Sequence, residues 1–210
     1  MPSLARNERL RLCDTALAVG PDAPTLSGDW TVKDLLVHLV VRESDPVGSP
    51  GIVVKPLGFL TDLATKRVER KDFGDLVERV RHPALWAPAS VPQLDRAFNT
   101  LEFFVHHEDI RRAQPGWEAR ELTAGEQKQL WKAISYAGRG LVRPAGVPVT
   151  IRWDENGLES TLRSGDKGVV VTGDPGELVL FLFGRDQTVG LAFDGPAKAV
   201  EKLKGAGLGI

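Results

Sequence analysis

The chain has 210 residues, which is enough for one large domain or two small ones with buried apolar cores. Its 27 basic and 28 acidic side chains give a formal net charge of -1 at pH 7. This balance excludes a global field that would hold nucleic acid or an anionic membrane, so we expect neither as a partner.

The only cysteine, Cys13, excludes an intramolecular disulfide and any zinc site of the paired-cysteine type. The first residues are charged and lack the apolar run of a signal peptide. No stretch of about 18 consecutive apolar residues occurs that could cross a membrane. We therefore expect a soluble protein in the reducing cytoplasm, and no pattern indicates its oligomeric state.

The N-terminal part has the apolar periodicity of helices. A first helix is predicted over residues 4–17, because the pattern stops at Gly20 and Pro21. Thr31 is a helix-capping residue with Asp34 three positions later, so a second helix should start near Thr31 and run to about residue 43.

Three further helical segments follow in chain order. Periodicity returns over 57–80, with an interruption near 71–72 left open, and again over 93–113. Thr123 and Glu126 form the pattern of a capping box, which predicts a fifth helix that ends around 138–140.

Past Pro144 the pattern changes to short β-like runs separated by glycine-containing turns, which predicts a small meander. A helix should begin at Pro175, followed by a strand and a closing helix. The predicted fold class is therefore α+β. We expect an all-α domain over 1–142 and a small α+β domain over 143–210.

One pair of residues in the fourth helical segment indicates chemistry. Glu102 and His106 are four positions apart, so on a helix they lie on one face, where two side chains can bind one ion. His38 lies beside the apolar stripe of the second helix and is the natural third ligand in a helical bundle. Two histidines and a carboxylate are typical of zinc sites with an open coordination position.

Simpler interpretations stay open on spacing alone. His38 could be an ordinary core histidine, and Glu102 with His106 could be a surface pair. Asp109 could accept the second imidazole N–H of His106 or pair with Arg112 at the surface. The charged end of this helix is expected to be exposed to solvent. His107 is expected to be structural or solvent-facing.

Two stretches, Trp30–Leu39 and Glu102–Asp109, resemble signature segments of the DinB-like metalloprotein superfamily. More narrowly, they resemble its mycothiol-dependent maleylpyruvate isomerase branch, and in particular uncharacterised metal-binding proteins. The resemblance implies that His38, Glu102 and His106 are the metal ligands, and that an up-down helical bundle precedes a small sterol-carrier-like α+β domain. Residues 171–178 and 182–185 resemble a segment of that second domain.

The resemblance also implies a function. It suggests a divalent metal, Zn²⁺ first, with mycothiol as thiol cosubstrate, and a thiol S-transferase or isomerase acting on a small electrophile. Arg185 resembles a residue that would steer an acidic substrate, although an arginine that ends a helix is more often structural.

Two alternatives to an enzyme remain on sequence grounds. One is a non-catalytic, metal-containing protein that binds a small ligand, and the other is a metal-free polar cluster. The same His and Glu ligands suit nickel, iron or manganese as well as zinc. The loops over 44–56 and 82–92 are expected to rim the site, and they contain no motif that names the substrate.

Overall fold

The computed structural model describes residues 3–44, 58–82 and 94–209. The helices are α1 (Leu4–Val19), α2 (Val32–Ser44), α3 (Gly58–Val68), α4 (Phe73–Arg81), α5 (Leu94–Arg112), α6 (Ala124–Leu141), α7 (Pro175–Leu182) and α8 (Ala197–Lys204). The strands are β1 (Val149–Trp153), β2 (Glu159–Arg163), β3 (Val169–Gly173) and β4 (Ala192–Asp194). The mixture of helices and one sheet confirms the α+β class.

The chain forms two compact units. The first contains residues up to Arg96 together with Glu102–Glu118, and the second contains Ala97–Leu101 together with the chain from Ala119 onward. Helix α6 therefore groups with the sheet, whereas the predicted division between the domains lies at 142/143. Small side chains explain the grouping, because Gly138 of α6 lies so close to Leu162 of β2 that an added Cβ would meet Leu162 Cδ1 at 2.8 Å.

The first unit is an all-helical core. Helix α2 packs against α3 and α4, and α1 packs against α4. Every apolar residue of α2 from Val32 to Val41 is buried, which exceeds the single apolar stripe predicted from periodicity. A helix that is apolar on nearly all sides needs neighbours on all sides, so α2 is the centre of this core.

Capping fixes the start of α2, as predicted. The Thr31 hydroxyl oxygen accepts the Asp34 backbone N–H at 3.2 Å, and the Asp34 carboxylate accepts the Thr31 backbone N–H at 2.9 Å. This reciprocal pair satisfies two backbone donors that a helix start otherwise leaves free. It also sets His38 two turns into the helix.

The second unit contains a four-stranded sheet of order β2-β1-β3-β4. Strand β1 pairs antiparallel with β2 but parallel with β3, so the predicted meander is wrong. Residues 164–168 carry the chain across the end of β1, where added Cβ atoms on Gly165 and Gly168 would approach Pro148 to 2.6 and 2.8 Å. Glycine is needed for this close crossing.

Helices cover the sheet of the second unit. Helix α6 packs against α7 and β2, and α8 packs against β3. Alternate residues of β1, namely Val149, Ile151 and Trp153, are buried, as expected for a strand with one face on a core. In the described part of the chain, no helix has the length and hydropathy needed to cross a membrane.

Candidate metal centre

The structure brings His38, Glu102 and His106 together within the first unit. One potential ligand atom from each of the three residues lies within 4.8 Å of the other two. The imidazole rings of His38 and His106 meet edge to face, with centroids 5.4 Å apart. Helix α2 supplies one histidine, and one turn of α5 supplies the other two side chains, as the spacing of Glu102 and His106 predicts.

Both ring nitrogens of His106 face a carboxylate. Its Nε2 lies 3.3 Å from Glu102 Oε2, and its Nδ1 lies 3.0 Å from Asp109 Oδ2. The carboxylate of Asp109 is fully buried and also accepts the Ser27 hydroxyl at 2.8 Å. Asp109 thus fixes the orientation of His106. Because Asp109 is buried, it does not form the surface pair with Arg112 that was the alternative.

Burial and neighbouring charges set the protonation of the three candidate ligands. Burial, together with the nearby His106, lowers the pKa of His38 to about 4. Burial opposes ionisation of Glu102, but its hydrogen bond with His106 and the charges of His106 and Arg42 lower its pKa to about 2. Burial likewise opposes protonation of His106, yet its bonds with Asp109 and Glu102 raise its pKa to about 9.

At neutral pH the cluster therefore holds a neutral imidazole, a carboxylate and an imidazolium. A neutral His38 has a free lone pair to offer a cation. The imidazolium of His106 is held in place by two carboxylates, and it would need to lose only its Nε2 proton to become a second nitrogen donor.

The donor set fits a divalent metal ion. Two nitrogens and one oxygen, each about 2 Å from a tetrahedral ion, would lie about 3.3 Å from one another. The Glu102 and His106 donors already stand 3.3 Å apart, so modest side-chain movement would bring the third donor to the same point. Arg42, whose Nε is 3.9 Å from Glu102 Oε2, balances the carboxylate charge.

His38 also has an aromatic neighbour that spacing did not reveal. The ring centroid of Trp30 lies 5.1 Å from that of His38. Trp30 is the residue before the Thr31 cap, so the same turn that starts α2 places an indole beside the first candidate ligand. This contact restricts the rotation of the His38 ring.

His107 is structural, which is the first of the two alternatives predicted for it, and it does not face solvent. It is 3 % exposed, its Nδ1 lies 2.7 Å from Glu8 Oε2, and its Nε2 lies 3.0 Å from the Thr15 hydroxyl. Glu8 is itself fully buried on α1 and also accepts a hydrogen bond from Arg11 at 2.9 Å. The neighbouring histidine thus ties α5 to α1 rather than to the candidate metal centre.

The charged end of α5 is not solvated, so that prediction is wrong. Glu108 and Arg112 are 1 % and 3 % exposed, and Arg112 Nε donates to Glu108 Oε2 at 2.6 Å. Arg111 donates to the same carboxylate, and the Arg112 guanidinium lies over the Trp117 ring at 4.8 Å. A buried carboxylate is tolerated here because two guanidiniums pair with it.

Cys13 is a core residue, since its side chain is fully buried among α1, α2 and α4. Its Sγ lies 3.6 Å from the Val77 carbonyl oxygen. Burial raises the pKa of the thiol to about 11, which keeps it protonated at neutral pH. The chain's own thiol is therefore a poor nucleophile.

Arg185 belongs to the second unit and follows α7. Its Nη1 donates to the Phe183 carbonyl oxygen at 2.6 Å, a contact that fits the structural alternative for an arginine at a helix end. Its predicted role in steering a substrate stays a prediction. The loops predicted to rim the site, 44–56 and 82–92, lie outside the described residues except for the first residue of each.

Two solved structures share this fold. One is the mycothiol-dependent maleylpyruvate isomerase, with 15 % identity and a TM-score of 0.53, over 91 % of this chain and 90 % of that one. The other is a mutant of that isomerase in which a histidine is replaced by alanine, with 16 % identity and a TM-score of 0.50 over the same shares. No protein-family model and no curated protein matches the chain. The chain therefore has a fold similar to that of the mycothiol-dependent maleylpyruvate isomerase.

Proposed function

We propose that the protein binds one divalent metal ion, Zn²⁺ in the first instance, through His38, Glu102 and His106. We further propose that it uses this ion to react a low-molecular-weight thiol with a small electrophile, as an S-transferase or an isomerase. The observation that carries the proposal is the convergence of three donor atoms within 4.8 Å, on a fold shared with a thiol-dependent isomerase.

The roles of the three ligands follow from their surroundings. His38 is neutral and braced by Trp30, so it offers a nitrogen lone pair without a proton to displace. Glu102 supplies the negative charge, and Asp109 keeps the Nδ1 proton on His106 so that Nε2 faces the ion. Three protein ligands leave a coordination position open for an exogenous ligand.

A bound divalent cation lowers the pKa of a coordinated thiol and makes a thiolate available at neutral pH. The thiol must come from outside, because Cys13 is fully buried in the core with a raised pKa. Mycothiol is the proposed thiol, since the solved structure with this fold is named for its dependence on mycothiol. Arg185 is proposed as the cation that steers an acidic electrophile.

The proposal is tested with metal-loaded protein, mycothiol and a panel of small electrophiles that includes maleylpyruvate. We expect thiol consumption or isomerisation by the parent protein and none by His38→Ala or His106→Ala. Asp62→Ala is the control, because this side chain is exposed on α3 and is not one of the candidate ligands. It should keep full activity, and an equal loss in all three variants would contradict the proposal.

The variant Arg185→Gln distinguishes a role of Arg185 in steering the substrate from a structural role. A steering role predicts a raised KM for acidic electrophiles only, whereas a structural role predicts a lower melting temperature and equal effects on neutral and acidic ones. Stoichiometric metal with no turnover over the panel would instead support the non-catalytic, metal-containing binding protein. A protein that contains no metal and cannot be loaded would instead support the remaining alternative, in which the three residues form a metal-free polar cluster.

A further inference from the structure

A cavity lies within the second unit, and its lining contains none of the three candidate metal ligands. It has a volume of about 730 Å³, which is in the range of sites for small organic molecules. One face of α6 forms one side through Lys128, Trp131, Lys132 and Ser135. The end of β1 and the following turn form the other side through Trp153 and Leu158.

The walls of this cavity are aromatic. The indole rings of Trp131 and Trp153 have centroids 6.0 Å apart and planes inclined at 41°. At this separation the two indoles are in direct contact, so a flat ring can stack only on the Trp131 indole, which is the more exposed of the two. Leu158 adds an apolar surface to the lining and is 51 % exposed.

Two polar atoms of the cavity residues are left unpaired. Ser135 Oγ and Trp153 Nε1 are both buried and have no hydrogen-bond partner among the described residues. Trp153 as a whole is only 4 % exposed. Buried polar groups almost always have partners, and both unmatched atoms belong to residues of this one cavity, so a bound molecule could supply the missing hydrogen-bonding group after a small side-chain movement.

The charges at the rim specify the sign of that group. Lys128 and Lys132 lie one turn apart on the α6 face that lines the cavity, and neither has an ion pair within the described parts of the chain. Glu155 also lines the cavity, so the lining carries a formal charge of +1. The indole N–H and the ammonium groups are donors only, which favours an acceptor-bearing monoanion.

We infer that this cavity binds a small aromatic carboxylate, with the ring against the Trp131 indole and the Leu158 side chain and the carboxylate at Lys128 and Lys132. A flat ring suits the Trp131 indole face better than an alkyl chain does, and a carboxylate matches both the net charge and the donors. The cavity uses none of the residues of the proposed metal centre, so the two proposals stand or fall separately.

The test is calorimetric titration of the full-length protein with 2-naphthoate. We expect saturable binding with one site per chain, at least tenfold weaker binding of the neutral 2-naphthalenemethanol, and weaker binding of decanoate. Lys128→Gln/Lys132→Gln should weaken naphthoate binding at least tenfold. The matched control Lys66→Gln/Lys198→Gln removes two exposed lysines outside the cavity and should leave binding unchanged.

Trp131→Ala should also weaken naphthoate binding at least tenfold, and circular dichroism will verify that this variant is folded. His106→Ala should bind naphthoate like the parent, which keeps this result separate from any failure of the metal centre. No saturable binding at millimolar naphthoate would overturn the inference. Equal affinity for the alcohol or for decanoate, or equal loss in both double-lysine variants, would also overturn it.

Discussion

Loading the candidate metal centre should expel one proton, and that proton should come from His106. In the metal-free protein the pKa of His106 is raised to about 9 by Asp109 and Glu102, while the pKa of His38 is lowered to about 4 and that of Glu102 to about 2. A metal ion binds unprotonated nitrogen and oxygen. His38 and Glu102 are therefore ready to bind at neutral pH, and His106 must first lose its Nε2 proton.

The magnitude follows from these three pKa values. Between pH 6 and 7.5, His106 is almost fully protonated and His38 almost fully neutral, so about one proton should leave per metal ion at both ends of that range. Two ordinary histidines would behave differently, releasing about 1.5 protons at pH 6 but only about 0.2 at pH 7.5. The apparent metal affinity should rise about tenfold per pH unit until it levels near pH 9.

Isothermal titration calorimetry measures this release. Ni²⁺ is titrated into metal-free protein at pH 6 and at pH 7.5, in several buffers that differ in ionisation enthalpy and do not bind the metal. The slope of the observed enthalpy against ionisation enthalpy is the number of protons released. A release that falls steeply between the two pH values would refute the assignment of the charges in this cluster.

Three further predictions follow from the contacts of single residues. Asp109→Asn removes the carboxylate that orients His106, so metal affinity measured by chelator competition should fall about 10- to 100-fold. Cys13 has a raised pKa because it is buried, so its thiol should react with a disulfide reagent at pH 8 about 100-fold more slowly in native than in urea-unfolded protein. Glu8→Ala removes the fully buried partner of His107 and should lower the free energy of unfolding by about 2–4 kcal/mol in urea denaturation.

Each of these predictions has a control and a contrary result. For the first prediction the control is Asp62→Asn, which changes an exposed carboxylate of α3 and should leave metal affinity intact. An unchanged affinity in Asp109→Asn would mean that His106 needs no orienting partner. Equal thiol reactivity in the native and unfolded states would show that Cys13 is accessible. Glu78→Ala, which loses only surface ion pairs, should cost well under 1 kcal/mol, and a similar cost for Glu8→Ala would contradict the buried network.

Helix starts were predictable because capping is a local interaction. The predicted reciprocal hydrogen bonds form between Thr31 and Asp34 and between Thr123 and Glu126. The two residues of each pair are three positions apart, so a short sequence pattern contains all the information needed. Strand partners were not predictable in the same way. A turn sequence shows that the chain reverses, but not that β3 will pass to the other side of β1 and pair with it in parallel.

In the candidate site, too, local features were predictable from the sequence and long-range contacts were not. The spacing of Glu102 and His106 on one helix is local, so the sequence alone placed them on one face. Burial of Glu108 and Arg112 depends on which elements pack against the end of α5, so charge composition gave the wrong answer there. The contact of Asp109 with Ser27 joins residues 82 positions apart, and no local pattern reports it.

Metal content, compared between the parent protein and His38→Ala, tests the central claim most directly. Both are expressed in zinc-replete medium, purified without chelators and analysed by inductively coupled plasma mass spectrometry, with thiol binding measured on the same samples. We predict close to one divalent ion per chain and thiol binding in the parent, and loss of both in the variant. A parent that contains no metal and cannot be loaded, or a variant that retains the same metal content, would contradict the account.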